Sequence, residues 1–185
     1  MADETREYRK PLFRVAGKNS FFEIYDNTGI NKMSINIQVY DETTKRTTAK
    51  VAWYIDYEDF ATFCAAVYTG QIDAMLQVEK AFPQVGFSNP PADLSNNLRQ
   101  WTMKKSDRGN YQITVVEKER QNKDQKFAEA TLKGQASFFL KPFDLLAMAT
   151  KCLPYIQGRL EYPAQATQAP TINRVESEEP IDLGV

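Results

Sequence analysis

Hydrophobic and polar residues alternate along several stretches of the chain, and a helical pattern follows them. Every second residue of Met33–Val39 is apolar, and in the apolar stretch Val51–Ile55 the residues Val51, Trp53 and Ile55 share one face. Such alternation predicts half-exposed antiparallel strands. Within Phe60–Val67 the apolar residues recur at i, i+3, i+4 and i+7. That spacing predicts an amphipathic helix directly after the last strand.

The same succession occurs a second time. Val51–Ile55 aligns without a gap with Ala136–Leu140, 85 residues later, and at the same offset Phe60 aligns with Leu145. Upstream, Tyr111–Val115 alternates like the strands of the first half. Any apolar strand before an amphipathic helix would align in this way, so chance similarity is the alternative. We predict an α+β fold of two tandem ββββα repeats, which form curved antiparallel sheets with helices packed on one face.

Breaks in these patterns predict the domain boundaries. We expect a flexible N-terminus (1–10), one folded domain (11–162) and a disordered acidic C-terminal tail (163–185). The folded domain divides into a repeat (11–70), a connector (71–97) and a second repeat (98–162). Within the connector we expect a short helix in Gln71–Phe82 and then a linker, Pro83–Asn97, rich in Pro and Asn. Pro154 should kink or end the last helix.

The composition argues against an enzyme. The chain has no histidine, the commonest general base and metal ligand. Cys64 and Cys152 fall on apolar helix faces, so we expect small buried side chains and neither a disulfide nor a metal site. No glycine-rich phosphate loop is present, and Asp56 with Asp59 fits helix capping better than catalysis. We therefore expect no catalytic residue, no cofactor and no metal.

Aromatic residues on strands and cations near turns offer a different chemistry. The strand faces opposite the helix-packed ones carry Phe21, Tyr25, Tyr40, Tyr54 and Phe139. Near the turns and strand ends lie Lys32, Lys45, Arg46, Lys50, Lys104, Lys105, Arg108, Lys118, Arg120, Lys123, Lys126 and Lys133. Such rings stack on unpaired bases while cations follow the phosphates, so we predict a single-stranded nucleic-acid-binding surface. Solvated hairpin tips and core aromatics are the structural alternative. Trp53 and Trp101 fall on the apolar faces and are expected in the core.

A resemblance to a known family points the same way. Lys133–Gly134, the apolar strand Ala136–Leu140 and Lys141–Pro142 opening a helix resemble the Whirly single-stranded-DNA-binding proteins and the related transcriptional-coactivator and Pur-alpha folds. The first half has Ala49–Lys50 where the family pattern has Lys-Gly. The resemblance implies a single-stranded-DNA-binding protein. We therefore predict a non-enzymatic protein of replication, recombination or repair from a phage or a mobile element, and we expect edge strands to pair between subunits in an oligomer. We also expect binding largely without sequence specificity.

The end of the sequence differs in charge from the body. The formal net charge is −1, from 23 basic and 24 acidic residues. The acidic tail carries Glu176, Glu178, Glu179 and Asp182, with Leu183 among its few apolar residues. This layout resembles the tails of bacterial and phage single-stranded-DNA-binding proteins, which implies recruitment of replication or recombination proteins. No apolar run approaches the length of a membrane span, and no secretory signal is recognisable, so we expect a cytoplasmic protein.

Three alternatives stay open at this point. The first is a single-stranded-DNA-binding protein built on a five-stranded OB barrel. The second is a protein-interaction or structural subunit that binds no nucleic acid. The third is an RNA-binding protein, since no residue type here separates RNA from DNA.

Overall fold

A computed structural model describes residues 10–77, 85–88, 97–122 and 124–161, with only the backbone for 85–88. The strands are β1 (Phe13–Ala16), β2 (Ser20–Asn27), β3 (Lys32–Tyr40), β4 (Thr47–Ile55), β5 (Val85–Ser88), β6 (Asn97–Lys105), β7 (Tyr111–Glu119) and β8 (Thr131–Leu140). The α-helices are α1 (Tyr57–Tyr68), α2 (Ile72–Gln77) and α3 (Pro142–Glu161). The predicted α+β class with antiparallel sheets is confirmed.

The strands form two four-stranded antiparallel sheets. Sheet A has the order β1-β2-β3-β4 and sheet B the order β5-β6-β7-β8. The alternation of the sequence assigns one inner, apolar face to each sheet. In sheet A, Ile24, Ile35 and Trp53 lie side by side across three strands, all 4 % exposed or less.

The inner faces of both sheets meet in one core. The Trp53 ring of sheet A lies 6.4 Å from the Trp101 ring of sheet B, and Phe22 lies 5.7 Å from Phe138. Phe63 of α1 meets Trp101 edge-on at 5.8 Å. Sheets and helices thus bury a single hydrophobic cluster rather than two separate ones. The prediction that both tryptophans belong to the core is confirmed.

Helices α1 and α3 pack against each other over this core. Cys64 and Cys152 are completely buried there, as predicted. Burial raises the pKa of both thiols, that of Cys152 to about 12. Neither thiol is therefore poised to act as a nucleophile at neutral pH. Gly70, with φ of 73°, follows the C-cap residue Thr69 of α1, where a left-handed glycine commonly ends a helix.

Three local predictions need correction. The expected linker Pro83–Asn97 contains β5, which pairs with β6. The strand is difficult to recognise in the sequence because it is only four residues long, contains Gly, and is flanked by Pro and Asn. Of the two alternatives for Pro154, a kink or a helix end, the helix end is wrong, because α3 continues through Pro154. The completely buried Cys152 and Ile156 hold the helix on both sides of it, which offsets the lost hydrogen bond. Asp56 stands at the N-cap of α1, but its carboxylate accepts from Lys32 Nζ at 2.7 Å and makes no cap bond.

Asp26 ties β2 to the ends of both long helices. Its carboxylate accepts hydrogen bonds from Tyr57 at 2.5 Å, from Tyr155 at 2.5 Å and from Arg159 Nε at 2.9 Å. Since Tyr57 begins α1 and Arg159 stands near the end of α3, the two helices run antiparallel. Burial alone would raise the pKa of Asp26, but these hydrogen bonds and the charge of Arg159 outweigh it and lower the pKa.

Asp73 of α2 makes a second, more exposed bridge. It pairs with Lys105 at the end of β6 and accepts from the Tyr111 hydroxyl at 2.7 Å. The side chains of Asp73 and Lys105 are 43 % and 45 % exposed, whereas those of Asp26 and Arg159 are 8 % and 14 % exposed. The two bridges therefore differ in solvent screening.

Asp26→Asn should lower the free energy of unfolding by about 3–5 kcal/mol, because it leaves the Arg159 charge buried without its partner. The matched variant Asp73→Asn should cost below about 1 kcal/mol, because water screens that pair. Chemical denaturation of both variants measures the difference. Equal losses would contradict the role given to Asp26.

The wild-type protein should also lose the stabilisation that the Asp26 carboxylate provides when the pH becomes acidic. Because the pKa of Asp26 is lowered in the folded state, its stabilisation is present above the unfolded pKa of about 3.9. It disappears as the pH falls through the lower folded value. Unfolding free energies measured from pH 6 downward should therefore decline less steeply in Asp26→Asn than in the wild type.

Candidate nucleic-acid interface

The outer face of sheet A carries most of the predicted rings. Cross-strand pairing arranges β2, β3 and β4 into rows on this face. The rows are Phe21–Gln38–Lys50, Glu23–Asn36–Ala52 and Tyr25–Ser34–Tyr54. Four residues of strand, about 13 Å, separate the first row from the third. The first row reaches solvent at the exposed Lys50, whereas Glu23 and Ser34 of the other two rows are buried.

A cleft of about 340 Å³ opens on this face and is lined by Phe21, Gln38, Tyr40 and Lys45. We call it the aromatic cleft. The Phe21 and Tyr40 rings lie 5.4 Å apart, tilted by 32°. Both residues are half-buried, so each ring keeps part of its surface in contact with solvent. The volume lies at the lower end of the range for small-molecule sites.

Tyr40 is held from two directions. Its hydroxyl donates to the Lys18 carbonyl oxygen at 3.0 Å, and its backbone N–H donates to the Asn19 carbonyl at 2.9 Å. Both partners belong to the turn between β1 and β2. The ring is therefore positioned by the fold before any ligand arrives, which reduces the ordering cost of stacking.

Lys45 reaches the cleft from the loop between β3 and β4. Asp41 shapes that loop, since its carboxylate accepts from the backbone N–H of Thr43 at 3.0 Å and of Thr44 at 2.7 Å. The Lys45 N–H then donates to the Asp41 carbonyl at 2.9 Å, and Lys45 has φ of 57°. In this conformation its ammonium stands 6.0 Å from the centre of the Tyr40 ring.

Arg14 covers Phe21 from β1. Its guanidinium carbon lies 4.0 Å from the centre of the ring, and its Nε lies 3.2 Å from Glu23. Glu23 is the acidic residue of the three rows, and its second oxygen accepts from the Tyr25 hydroxyl at 3.0 Å. Its negative charge is thus compensated beside the cleft.

A second ring and cation pair joins the two sheets. Arg99 of β6 places its guanidinium carbon 5.2 Å from the centre of the Tyr54 ring and binds Glu117 at 3.2 Å. Lys133 lies 3.8 Å from the same Glu117 and donates to Asn97 at 3.2 Å. Lys133, a predicted phosphate contact, is therefore engaged with sheet B. Lys133 stands at a β-bulge of β8, as the register shift opposite Glu117 and Lys118 shows.

Other predicted cations serve the fold or lie elsewhere. Lys32 binds Asp56, Lys105 binds Asp73, and Lys118 Nζ donates to the carbonyl of Phe127 at 2.9 Å. Exposed positions are occupied by Arg46 and Lys50 beside the aromatic cleft, Lys104 at the end of β6, and Arg108 in the β6–β7 turn, while Arg120 is half-buried. Lys123 and the predicted tail residues Glu176, Glu178, Glu179, Asp182 and Leu183 lie outside the described residues.

Phe139 lies apart from the other predicted rings, on the outer face of sheet B. It is 55 % exposed and shares a row with Gln112 and Lys104. The described residues of this outer face on β6, β7 and β8 include no acidic side chain, because Glu117 and Glu119 alternate with them onto the opposite face.

Arg14, Gln38 and Arg99 belong to this surface but were not predicted from the sequence. The role of Arg14 can be recognised only when the pairing of β1 with β2 is known, because that role depends on Arg14 facing Glu23. Gln38 alternates with the inner residues of β3, and this alternation could have assigned it to the outer face from the sequence. Arg99 approaches Tyr54 through the packing of one sheet against the other, for which the sequence carries no local sign.

In the described part of the chain, no helix is both long and apolar enough to cross a membrane. Cysteine, aspartate and glutamate side chains there do not gather in threes where they could hold a metal ion. In comparisons with known proteins, no protein-family model matches this chain, and no curated protein matches it in sequence. Function must be inferred from the outer faces of the sheets.

The Asp41 carboxyl should titrate below its ordinary range. The backbone and side-chain hydrogen bonds of Thr44, followed by the N–H of Thr43, lower its pKa. Carbon-detected NMR titration of the side-chain carboxyl measures this directly. An ordinary or raised pKa would mean that the loop does not hold Lys45 in the conformation described.

Proposed function

We propose that this protein is a non-enzymatic single-stranded-DNA-binding protein that acts in replication, recombination or repair, in a phage or mobile element. The observation that carries this proposal is the aromatic cleft, with its two pre-positioned rings and flanking Arg14 and Lys45. Rings stack on any base, and cations attract any phosphate, so binding is largely independent of sequence.

The energies expected for base stacking and for phosphate contacts suit a moderate, salt-sensitive affinity. Stacking contributes about 1–3 kcal/mol per base. Lys45, Arg46 and Lys50 are exposed around the aromatic cleft and can follow the phosphates. Three or four such contacts would give a slope of log affinity against log salt of about −2 to −3.

The outer face of sheet B is a second surface for the same strand. Phe139 offers an exposed ring there and Lys104 an exposed cation, with uncharged Gln112 between them. A surface without carboxylates does not repel phosphate, which supports its use in binding.

We also propose that the two halves are tandem ββββα repeats. Asp26 and Lys105 hold equivalent positions in the two sheets. Asp26 lies in the row that ends on Ile55, the last residue of β4, and Lys105 lies in the row that ends on Leu140, the last residue of β8. Asp26 binds Arg159 of α3 in the second repeat, and Lys105 binds Asp73 of α2 in the connector, with the charges exchanged. Bridges at equivalent positions are expected of a duplicated unit with internal twofold symmetry.

This arrangement supports kinship with the Whirly, transcriptional-coactivator and Pur-alpha folds. The five-stranded OB barrel is not favoured, because the described strands form two sheets of four. We propose further that edge strands pair between subunits in a homo-oligomer, and that the acidic tail recruits replication or recombination proteins. RNA is the alternative ligand, and oligo-U tests it beside oligo-dT.

Fluorescence anisotropy of a labelled 30-mer of oligo-dT, titrated with protein at two salt concentrations, tests the function. We expect a dissociation constant below about 10 μM at low salt, or about −7 kcal/mol. Affinity should fall as salt rises. No binding at low salt would favour a protein-interaction subunit.

Phe21→Leu should weaken oligo-dT binding about 5- to 150-fold, the equivalent of losing about 1–3 kcal/mol of stacking. The matched variant Phe143→Leu removes a ring that is 77 % exposed on α3, and it should leave binding unchanged. The same titration measures both. Equal effects of the two variants would place the nucleic acid elsewhere.

A further inference from the structure

Gln38 differs from the other residues that line the aromatic cleft. Phe21 and Tyr40 supply rings and Lys45 a charge, whereas Gln38 supplies an uncharged amide. Gln38 lies on β3 between Phe21 of β2 and Lys50 of β4, and it is half-buried. An amide beside a stacking surface lies where the edge of a stacked base would be.

The amide is oriented by the fold. Its Nε2 donates to the Thr47 hydroxyl oxygen at 2.9 Å. A glutamine side chain has two N–H donors and a carbonyl oxygen with two lone pairs. The bond to Thr47 uses one donor, so one N–H and the carbonyl oxygen of the amide remain.

Such a donor and acceptor pair complements the Watson–Crick edge of every base. Adenine and cytosine present an amino donor beside a ring-nitrogen acceptor, while thymine and guanine present an imino donor beside a carbonyl acceptor. Proteins that bind single strands hydrogen-bond to these edges. In a duplex the same edges are occupied by the partner strand.

We propose that Gln38 hydrogen-bonds to the Watson–Crick edge of the base stacked in the aromatic cleft. Gln38 thereby selects unpaired over paired bases without choosing among the four. This inference rests on the proposed function. Phosphate contacts alone cannot provide the selection, since a duplex also offers phosphates to the same cations. Stacking requires an exposed base face, and the amide adds a requirement for a free edge.

The amide also has a structural role that the experiment must separate. Its bond to Thr47 links β3 to β4 beside the register shift at Val39 and Tyr40. A variant that merely loosened this region would weaken binding to every ligand alike. A chemical change in the ligand avoids this difficulty, because it leaves the protein intact.

Full-length wild-type protein is titrated by anisotropy with oligo-dT and with an oligomer of N3-methylthymidine of equal length. The methyl group removes the imino donor and blocks the Watson–Crick edge but leaves the base face and phosphates. We expect the methylated oligomer to bind about fivefold more weakly, the equivalent of about one hydrogen bond, or 1 kcal/mol.

Gln38→Met should bind oligo-dT about fivefold more weakly than the wild type and should bind both oligomers equally. The matched control Gln157→Met, at an exposed position of α3, should retain the wild-type difference. Equal wild-type affinity for both oligomers would overturn the proposal, and so would an undiminished methylation effect in Gln38→Met. If Gln38→Met fails to fold, the wild-type comparison still decides. Absence of binding to either oligomer would overturn the proposed function as well.

Discussion

The two sheets depend on each other for burial, and the rest of the structure follows from that dependence. Trp53 is 4 % exposed because Trp101 lies against it, and Trp101 is fully buried because Phe63 closes it from α1. A unit half the size of this domain buries a smaller fraction of its apolar surface, so either half alone would be marginal. Completely buried Cys64 and Cys152 extend the same core between the helices.

Commitment of the inner faces to this core leaves the outer faces to solvent. Antiparallel sheets tolerate that arrangement because alternate residues can be polar. On sheet A the outer residues do more than remain polar. The β1–β2 turn holds Tyr40, the Asp41 loop aims Lys45, and the ion pair with Glu23 fixes Arg14 over Phe21. A rigid scaffold that presents side chains on one open face suits ligand binding.

Many of the cations serve the fold instead. Lys32, Lys105 and Lys118 are bound to a carboxylate or to carbonyl oxygens within the protein. Composition cannot separate such residues from those available to a ligand, because both stand near strand ends. The two groups can be separated only when the partner of each charge is known. The partner of Lys105 lies in α2, and the partners of Lys118 lie in the loop between β7 and β8.

The periodicity of the chain by itself determined the antiparallel strands, the two amphipathic helices and the inner positions of Trp53 and Trp101. Those features depend on side chains that alternate or recur along a single element, so neighbours in sequence carry the information. Only the tertiary structure decided that Pro154 continues a helix, that Asp26 meets Arg159, and that Arg99 reaches Tyr54. Each of these contacts joins residues of separate elements, and its geometry is set by packing in the shared core rather than by local sequence.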